Sequence, residues 1–204
     1  MHLILVRHGE SVCNLNGVIG GPKGDNGLSD LGRDQVKNTA SYLAKYLQDK
    51  NVSIYSSVLP RAIQTAEIIA QEMQYCEEII TDCGLCELHP GVLDGLTWNE
   101  YLLSYKPFDL REKPYKKLAK GAESWAQFLK RASLTLRKIA SSSQSDYVVV
   151  ACHGGVIQAS MIVFLSLKKF GTLAGLNPRY AGITEWSFEN SLERLLRYNF
   201  VPPN

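Results

Sequence analysis

The 204-residue chain has almost no excess of charge and no long apolar run. Its 22 lysines and arginines nearly balance its 20 aspartates and glutamates, so the formal net charge at pH 7 is only +2. So small an excess does not favour nucleic acid or a membrane surface as a partner. The longest apolar runs are far shorter than a bilayer span. The amino terminus also lacks the pattern of a signal peptide, which is a basic segment followed by an apolar stretch and a cleavage site. We therefore expect a cytoplasmic protein.

The sequence also lacks the cysteine pattern of a disulfide-stapled protein. It has five cysteines, an odd number, and Cys152 lies inside an apolar run typical of a buried strand, so reduced thiols are expected. Cys83-x-x-Cys86, with His89 and Cys76 nearby, can be written as a zinc cluster, but no second Cys-x-x-Cys accompanies it. We interpret these residues as ordinary reduced cysteines and predict no metal site.

Strand-like and helix-like segments alternate along the chain. Strand-like runs cover residues 3–6, 52–56, 79–81, 147–152, 183–188 and 195–200, and helical patterns cover 29–47, 60–73, 123–141 and about 154–167. This order predicts an α/β fold, a three-layer α/β/α sandwich with a mostly parallel central sheet and a closing hairpin. With no internal repeat, we expect one domain over residues 1–204, with a small cap insertion at about 96–121.

Two of the strand-like runs end at a histidine. Arg7 and His8 follow the first run, and His153 and Gly154 follow the run at 147–152. Ligands of parallel sheets bind just beyond the carboxyl ends of the strands. Two such strands lying side by side would bring both imidazoles to one crevice.

Two arginines add the chemistry of an anion site. Pro60 suits the first turn of a helix, which places Arg61 at a helix amino terminus, where N–H groups and the helix dipole favour an anion. Guanidinium forks such as Arg7 and Arg61 match the paired oxygens of a phosphate. Together with the two histidines they predict a phosphoryl group. Glu87, in a glycine-flanked loop, is the candidate proton donor, and Asn14 can supply a neutral donor.

None of these residues is persuasive singly, but together, in this order and with this spacing, they form a recognisable set of motifs. The segments Leu5-Val6-Arg7-His8-Gly9-Glu10 with Asn14, residues 57–66, and Val149-Val150-Ala151-Cys152-His153-Gly154-Gly155 resemble the histidine phosphatase superfamily, also called the phosphoglycerate mutase-like family. The resemblance covers nearly the whole chain and implies the compact phosphatase branch of that family.

The resemblance implies a role for each site residue. His8 matches the nucleophile that becomes phosphohistidine, and Glu87 looks like the acid of the family's Glu-x-x-x-Gly-x-x-acid-Gly block, although 88–90 and 92–93 depart from its commoner form. The phosphoryl oxygens would be bound by Arg7, Asn14, Arg61, His153 and the backbone around Gly154. The positive charges of these side chains can balance the negative charge of the phosphoryl group without a metal ion, so no metal and no cofactor is expected.

Three functions stay open under the resemblance. The mutase branch normally carries a longer insertion, with a proline run, between the acid block and the next helix, and this chain lacks it. We therefore favour a phosphomonoesterase that hydrolyses a small phosphorylated metabolite. The alternatives are phosphoglycerate mutase-type phosphoryl transfer and a non-catalytic member that binds phosphorylated ligands.

The stretch from 98 to 120 is irregular and basic, and we interpret it as a mobile cap. Its excess of positive charge is usual for a solvated face, but it could instead receive a second anionic group on the substrate. Its basic residues are Lys106, Arg111, Lys113, Lys116, Lys117 and Lys120.

Overall fold

A six-stranded mixed sheet forms the centre of the computed structural model, which describes residues 1–110, 112–167, 176–190 and 192–203. The strands are β1 (His2–Arg7), β2 (Val52–Ser56), β3 (Ile80–Thr81), β4 (Tyr147–Cys152), β5 (Ile183–Glu189) and β6 (Leu192–Phe200). Their order across the sheet is β3-β2-β4-β1-β5-β6. The first four in this order are parallel, and β5 and β6 form an antiparallel hairpin at one edge. The predicted α/β class and mostly parallel sheet are confirmed.

Helices cover both faces of the sheet. They are α1 (Val12–Leu15), α2 (Asp30–Tyr46), α3 (Pro60–Glu72), α4 (Trp98–Ser104), α5 (Trp125–Ser142) and α6 (Gly154–Phe164). Helix α2 starts where its sequence predicts, because the Ser29 side chain accepts a hydrogen bond from the Gly32 N–H at 3.0 Å. Helix α6 ends at Phe164, three residues before the expected end. In the part of the chain that the structure describes, no helix combines the length and the apolar character needed to cross a bilayer.

The unbroken apolar run of β1 is explained by burial on both sides. Leu3 and Leu5 pack in one hydrophobic cluster with α5 and α6, whereas Ile4 and Val6 pack in a second cluster with α2 and α3. All four side chains are fully buried. Such two-sided burial is typical of an inner strand of a parallel sheet, and it leaves the carboxyl end of β1 as the place where the chain can present polar groups.

The stretch from 98 to 120 is more ordered in secondary structure than its sequence led us to expect. Thr97 accepts a hydrogen bond from the Glu100 N–H, and the Glu100 carboxylate accepts one from the Thr97 N–H, so a capping box begins α4. Thr97-x-x-Glu100 is the sequence pattern of this motif, and the expectation of an irregular segment overlooked it. Arg111 lies outside the described residues, and mobility of the cap stays a prediction.

Candidate active site

The parallel pairing of β1 with β4 brings the two strand-end histidines together. Arg7 lies opposite Cys152 in the register, and the His8 N–H donates to the Cys152 carbonyl at 2.9 Å. The next residue on each strand is therefore a histidine, and the ring centroids of His8 and His153 are 5.1 Å apart. Both side chains are buried. The structure therefore brings the two imidazoles together, as the sequence led us to expect.

The His8 imidazole is held in one orientation. Its Nδ1 lies 2.7 Å from the Gly9 carbonyl oxygen, which can only accept, so Nδ1 carries the proton. Nε2 is then left with its lone pair and accepts from Arg61 Nε at 3.1 Å. Burial, followed by the positive charge of Arg61, lowers the pKa of His8 well below its usual value. A neutral ring with a free Nε2 lone pair is the form that can attack phosphorus.

The backbone that follows His8 lies against the start of α2 at unusually short range. A Cβ on Gly9 would sit 2.3 Å from the Gly32 carbonyl oxygen, and a Cβ on Gly32 would sit 1.9 Å from the Glu10 carbonyl oxygen. Neither position can therefore carry a side chain without moving the backbone. The Gly9 N–H also donates to Thr65 Oγ1 of α3 at 3.3 Å, so both helices of this layer fix the His8 loop.

Arg61 is oriented by a residue that sequence reasoning missed. Arg61 is the second residue of α3. Its NH1 group donates to Asp25 Oδ2 at 2.7 Å and to the Gly20 carbonyl oxygen at 3.0 Å. The side chains of Arg61 and Asp25 are 5% and 0% exposed, so this ion pair is buried. An aspartate in a glycine-rich loop was the only signal in the sequence, and it did not indicate a partner.

Arg7 contacts the segment that precedes β5. Its guanidinium carbon lies 4.1 Å from the Tyr180 ring centroid, and its NH1 donates to the Pro178 carbonyl. Its Nε is buried and has no hydrogen-bond partner among the described residues. A Cβ built on Gly154, the first residue of α6, would lie 3.8 Å from that Nε. Arg7 and Gly154 are thus neighbours, and an unpaired buried donor of this kind is what a bound anion would satisfy.

His153 has one paired and one unpaired ring nitrogen. Its Nε2 lies 2.8 Å from Ser57 Oγ, and its buried Nδ1 has no hydrogen-bond partner in the described part of the chain. Burial, then the charge of Arg61, lowers the pKa of His153 well below its usual value, so the ring is neutral in the ligand-free protein. Ser57 opens the second block of residues behind the family resemblance, yet its contact with His153 was not foreseen.

Glu87 is placed by a close approach to the start of α6. Its Oε2 accepts a hydrogen bond from the Gly155 N–H at 3.0 Å. A Cβ on Gly155 would lie 2.2 Å from Glu87 Oε1, so glycine at 155 is what lets the carboxyl group reach this position. The carboxylate of Asp94, the second acid of the same sequence block, instead accepts from the N–H groups of Gly21, Lys23 and Gly24 and anchors the glycine-rich loop.

Asn14 lies at the mouth of the site and is exposed. Ser11, the N-cap of α1, donates from its Oγ to Asn14 Oδ1 at 2.6 Å. Because that contact uses the amide oxygen, the NH₂ group is the part of Asn14 that can donate to a ligand.

One cavity of about 350 Å³ is lined by five of the seven predicted site residues, but not by His153 or Gly154. Its polar end is formed by Arg7, His8, Asn14, Arg61 and Glu87. Among the residues of the opposite wall are Leu88, Leu93, Trp98, Leu110, Leu118 and Trp125. A larger cavity of about 650 Å³ opens on the other side of Arg7, but among the described residues it is lined by neither histidine and by neither Arg61 nor Glu87. The smaller cavity is therefore the candidate active site.

Comparison with known proteins points to one family. The model of the histidine phosphatase superfamily (branch 1) matches residues 3–201. A metal-independent phosphoserine phosphatase of Arabidopsis thaliana is 31% identical over 194 residues, which cover 92% of this chain and 79% of that protein. Phosphoglycerate mutase-like protein 4 of the same plant is 34% identical over 161 residues, which cover 77% and 68% of the two chains.

Solved structures show the same fold. A mycobacterial glucosyl-3-phosphoglycerate phosphatase in complex with VO3 superposes with a TM-score of 0.79 at 26% identity, covering 97% of this chain and 98% of its own. A mutant phosphoserine phosphatase from Entamoeba histolytica in complex with phosphoserine has a TM-score of 0.73 at 25% identity, covering 97% and 96%. The family suggested by the sequence motifs is confirmed by these similarities.

Replacing Asp25 with alanine should strongly destabilise the protein, because it leaves the Arg61 charge buried and unpaired. Loss of one partner from such a pair costs about 3–5 kcal/mol of unfolding free energy. Asp34→Ala is the matched control, since Asp34 pairs with Lys37 on the exposed face of α2 at 3.3 Å and should change stability by less than about 1 kcal/mol. Urea unfolding of both variants measures the difference, and equal midpoints would contradict the buried pair.

Proposed function

This chain belongs to the histidine phosphatase superfamily, branch 1, and we propose that its phosphatase activity acts on small phosphorylated metabolites through a phosphohistidine intermediate on His8. The observation that carries the proposal is the state of His8: a buried, neutral imidazole with Nδ1 bound to a carbonyl and Nε2 beside Arg61. Fixing one ring nitrogen as a donor makes the other a nucleophile.

The first step transfers the phosphoryl group to the enzyme. His8 Nε2 attacks phosphorus in line with the bond to the leaving oxygen, the N–P bond forms as the P–O bond breaks, and Glu87 gives its proton to the departing alkoxide. Arg61 Nε, which donates to His8 Nε2 in the structure, then donates to a phosphoryl oxygen instead. The unpaired donor of Arg7 lies beside Gly154 and supplies a second contact to the spreading negative charge.

The second step returns the enzyme to its starting form. Glu87, now ionised, takes a proton from a water molecule, which attacks phosphorus on the side opposite His8 and releases inorganic phosphate. His153 is neutral in the empty site, and the arrival of a dianion beside it raises its pKa, so that it can donate from Nδ1 to the phosphoryl group. Every proton and electron pair in this cycle is supplied by substrate, water and these side chains.

The shape of the cavity bears on the alcohol part of the substrate. The cationic side chains among its described lining residues are Arg7 and Arg61, both at the phosphate end, and the wall beyond them is leucine and tryptophan. The described lysines of the cap are exposed, and Lys116 lies over the Phe108 ring instead. A second anionic group would find no cationic partner on the described part of this wall, so we expect an uncharged, partly apolar alcohol moiety. We therefore do not expect this chain to share the charged substrates that appear in the names of its relatives.

Trapping the intermediate tests the role of His8. A rapid acid-free quench with ³²P-labelled substrate should give an acid-labile, alkali-stable phosphoenzyme in the wild type and none in His8→Asn, because amide nitrogen is not a nucleophile. His2→Asn is the control, since His2 lies at the opposite end of the same strand. Turnover and labelling retained by a folded His8→Asn protein would refute the mechanism.

A substrate panel tests the class of alcohol. Aryl and long alkyl monophosphates should have kcat/KM at least about tenfold above 3-phosphoglycerate and fructose 2,6-bisphosphate, since an unpaired charge against an apolar wall costs more than 1 kcal/mol. Preference for the doubly anionic compounds would overturn the proposed moiety. Net conversion of 3- to 2-phosphoglycerate, primed with 2,3-bisphosphoglycerate, would favour the mutase alternative over hydrolysis.

Changing Glu87 to glutamine should slow alkyl phosphates far more than p-nitrophenyl phosphate. An alkoxide needs a proton as it leaves, whereas p-nitrophenolate does not, so a lost general acid should cost about 10²- to 10⁴-fold for alkyl esters only. Single-turnover release of the alcohol or of p-nitrophenolate measures this, because it reports the first step alone, whereas Glu87 is also the base of the second step that both substrates share. A uniform loss across leaving groups would assign the acid role to another group.

A further inference from the structure

The loop that carries Glu87 gathers three ligand atoms typical of a zinc site. The sulfur atoms of Cys83 and Cys86 and a ring nitrogen of His89 all lie within 4.8 Å of one another. Cys83 Sγ is 3.7 Å from His89 Nε2. The phosphatase mechanism uses none of these side chains. From the sequence, Cys83, Cys86 and His89 were only near one another along the chain, and the structure brings their ligand atoms together.

These separations are close to those of a zinc site. Zinc binds cysteine sulfur at about 2.3 Å and histidine nitrogen at about 2.0 Å in a tetrahedron, which puts neighbouring ligand atoms about 3.5–3.8 Å apart. The observed 3.7 Å between Cys83 Sγ and His89 Nε2 already matches. Rotamer adjustments of about 1 Å would complete the geometry of the three ligands.

A carboxylate lies near the other ring nitrogen of His89. Its Nδ1 faces Glu123 Oε2 at 3.7 Å, while Nε2 faces the thiols. Histidine ligands of metals usually present their other ring nitrogen to a carboxylate or carbonyl, which fixes the tautomer that leaves the ligating nitrogen unprotonated. Glu123 is itself held, because it accepts from Arg131 at 2.6 Å and from the His89 N–H at 3.1 Å.

The backbone of the loop is also fixed. Arg131, on α5, donates from NH1 to the carbonyl oxygens of Cys83, Gly84 and Cys86 at 3.0–3.1 Å. Asp82 caps the short turn Cys83–Leu85 by accepting from the Gly84 N–H at 2.6 Å. A site whose ligands are already positioned loses less conformational entropy when it binds an ion.

We propose that Cys83, Cys86 and His89 form a zinc-binding site with two thiolates, one imidazole and a fourth position open to solvent. Each thiol gives its proton to solvent as its sulfur binds the ion, so two protons are released per zinc and no oxidant is involved. Two thiolates and an imidazole favour zinc over calcium or magnesium, which prefer oxygen ligands. Cys86 is buried and Cys83 is exposed, so the ion enters from the side of Cys83.

The experiment measures metal binding on the full chain. Protein reduced with a phosphine and freed of metal is titrated with Zn²⁺ in competition with a chromophoric chelator, and with Co²⁺, whose sulfur-to-metal charge-transfer absorption reports thiolate ligation. The wild type should bind one equivalent, and Cys83→Ser and His89→Gln should each weaken binding by at least about tenfold. Both replacements are at partly exposed positions, and circular dichroism confirms folding of each variant.

Cys76→Ser is the matched control. Cys76 is an exposed thiol outside the cluster, so its removal should leave zinc affinity and the cobalt spectrum unchanged. Absence of saturable binding in the wild type, binding undiminished in Cys83→Ser and His89→Gln, or an equal loss in Cys76→Ser would each overturn the proposal. Since binding and not turnover is measured, none of these results bears on the phosphatase mechanism.

Discussion

The pairing of β1 with β4 is the constraint on which the site depends. Both strands are inner strands with side chains buried on both faces, so a slip of one residue would turn Leu3 and Ile4 toward the wrong helical layers. The register that the core enforces sets Arg7 opposite Cys152 and so sets the 5.1 Å between the histidine rings. Packing of apolar side chains thereby fixes the spacing of the polar residues beyond the sheet.

Positive charge accumulates at this edge, and the fold compensates it only in part. Arg61 is neutralised by Asp25, and burial beside Arg61 holds His8 and His153 in their neutral forms. Within the residues that the structure describes, two buried polar atoms at this edge, Arg7 Nε and His153 Nδ1, have no hydrogen-bond partner. An anion is the ligand that would satisfy both, and the phosphatase family to which the chain belongs supplies the chemical context for it.

The loop from Cys83 to His89 connects the proposed zinc site with the proposed acid. Glu87 lies between Cys86 and His89 in the chain, and Arg131 holds the carbonyl groups on both sides of it. Cys86 Sγ also accepts from Ser57 Oγ at 3.4 Å, and Ser57 contacts His153. A short chain of contacts thus joins the loop to the phosphate site.

The sequence by itself determined the strands of the sheet, the long helices and the starts of several of them, but not every end, since α6 stops at Phe164. Continuous apolar runs predicted the buried strands, and Ser29 and Pro60 marked helix starts, because these signals act within a few residues of the chain. The start of α4 was equally local, in the capping box of Thr97 and Glu100, but it was overlooked.

Only the tertiary structure decided which partners those elements meet. The Arg61–Asp25, Glu87–Gly155 and Ser57–His153 contacts join residues 36, 68 and 96 positions apart. Nothing in the local pattern specifies such contacts, because they follow from how the layers pack on the sheet. For the same reason the sequence showed the Cys83-x-x-Cys86 spacing but could not show that His89 points toward the two sulfur atoms.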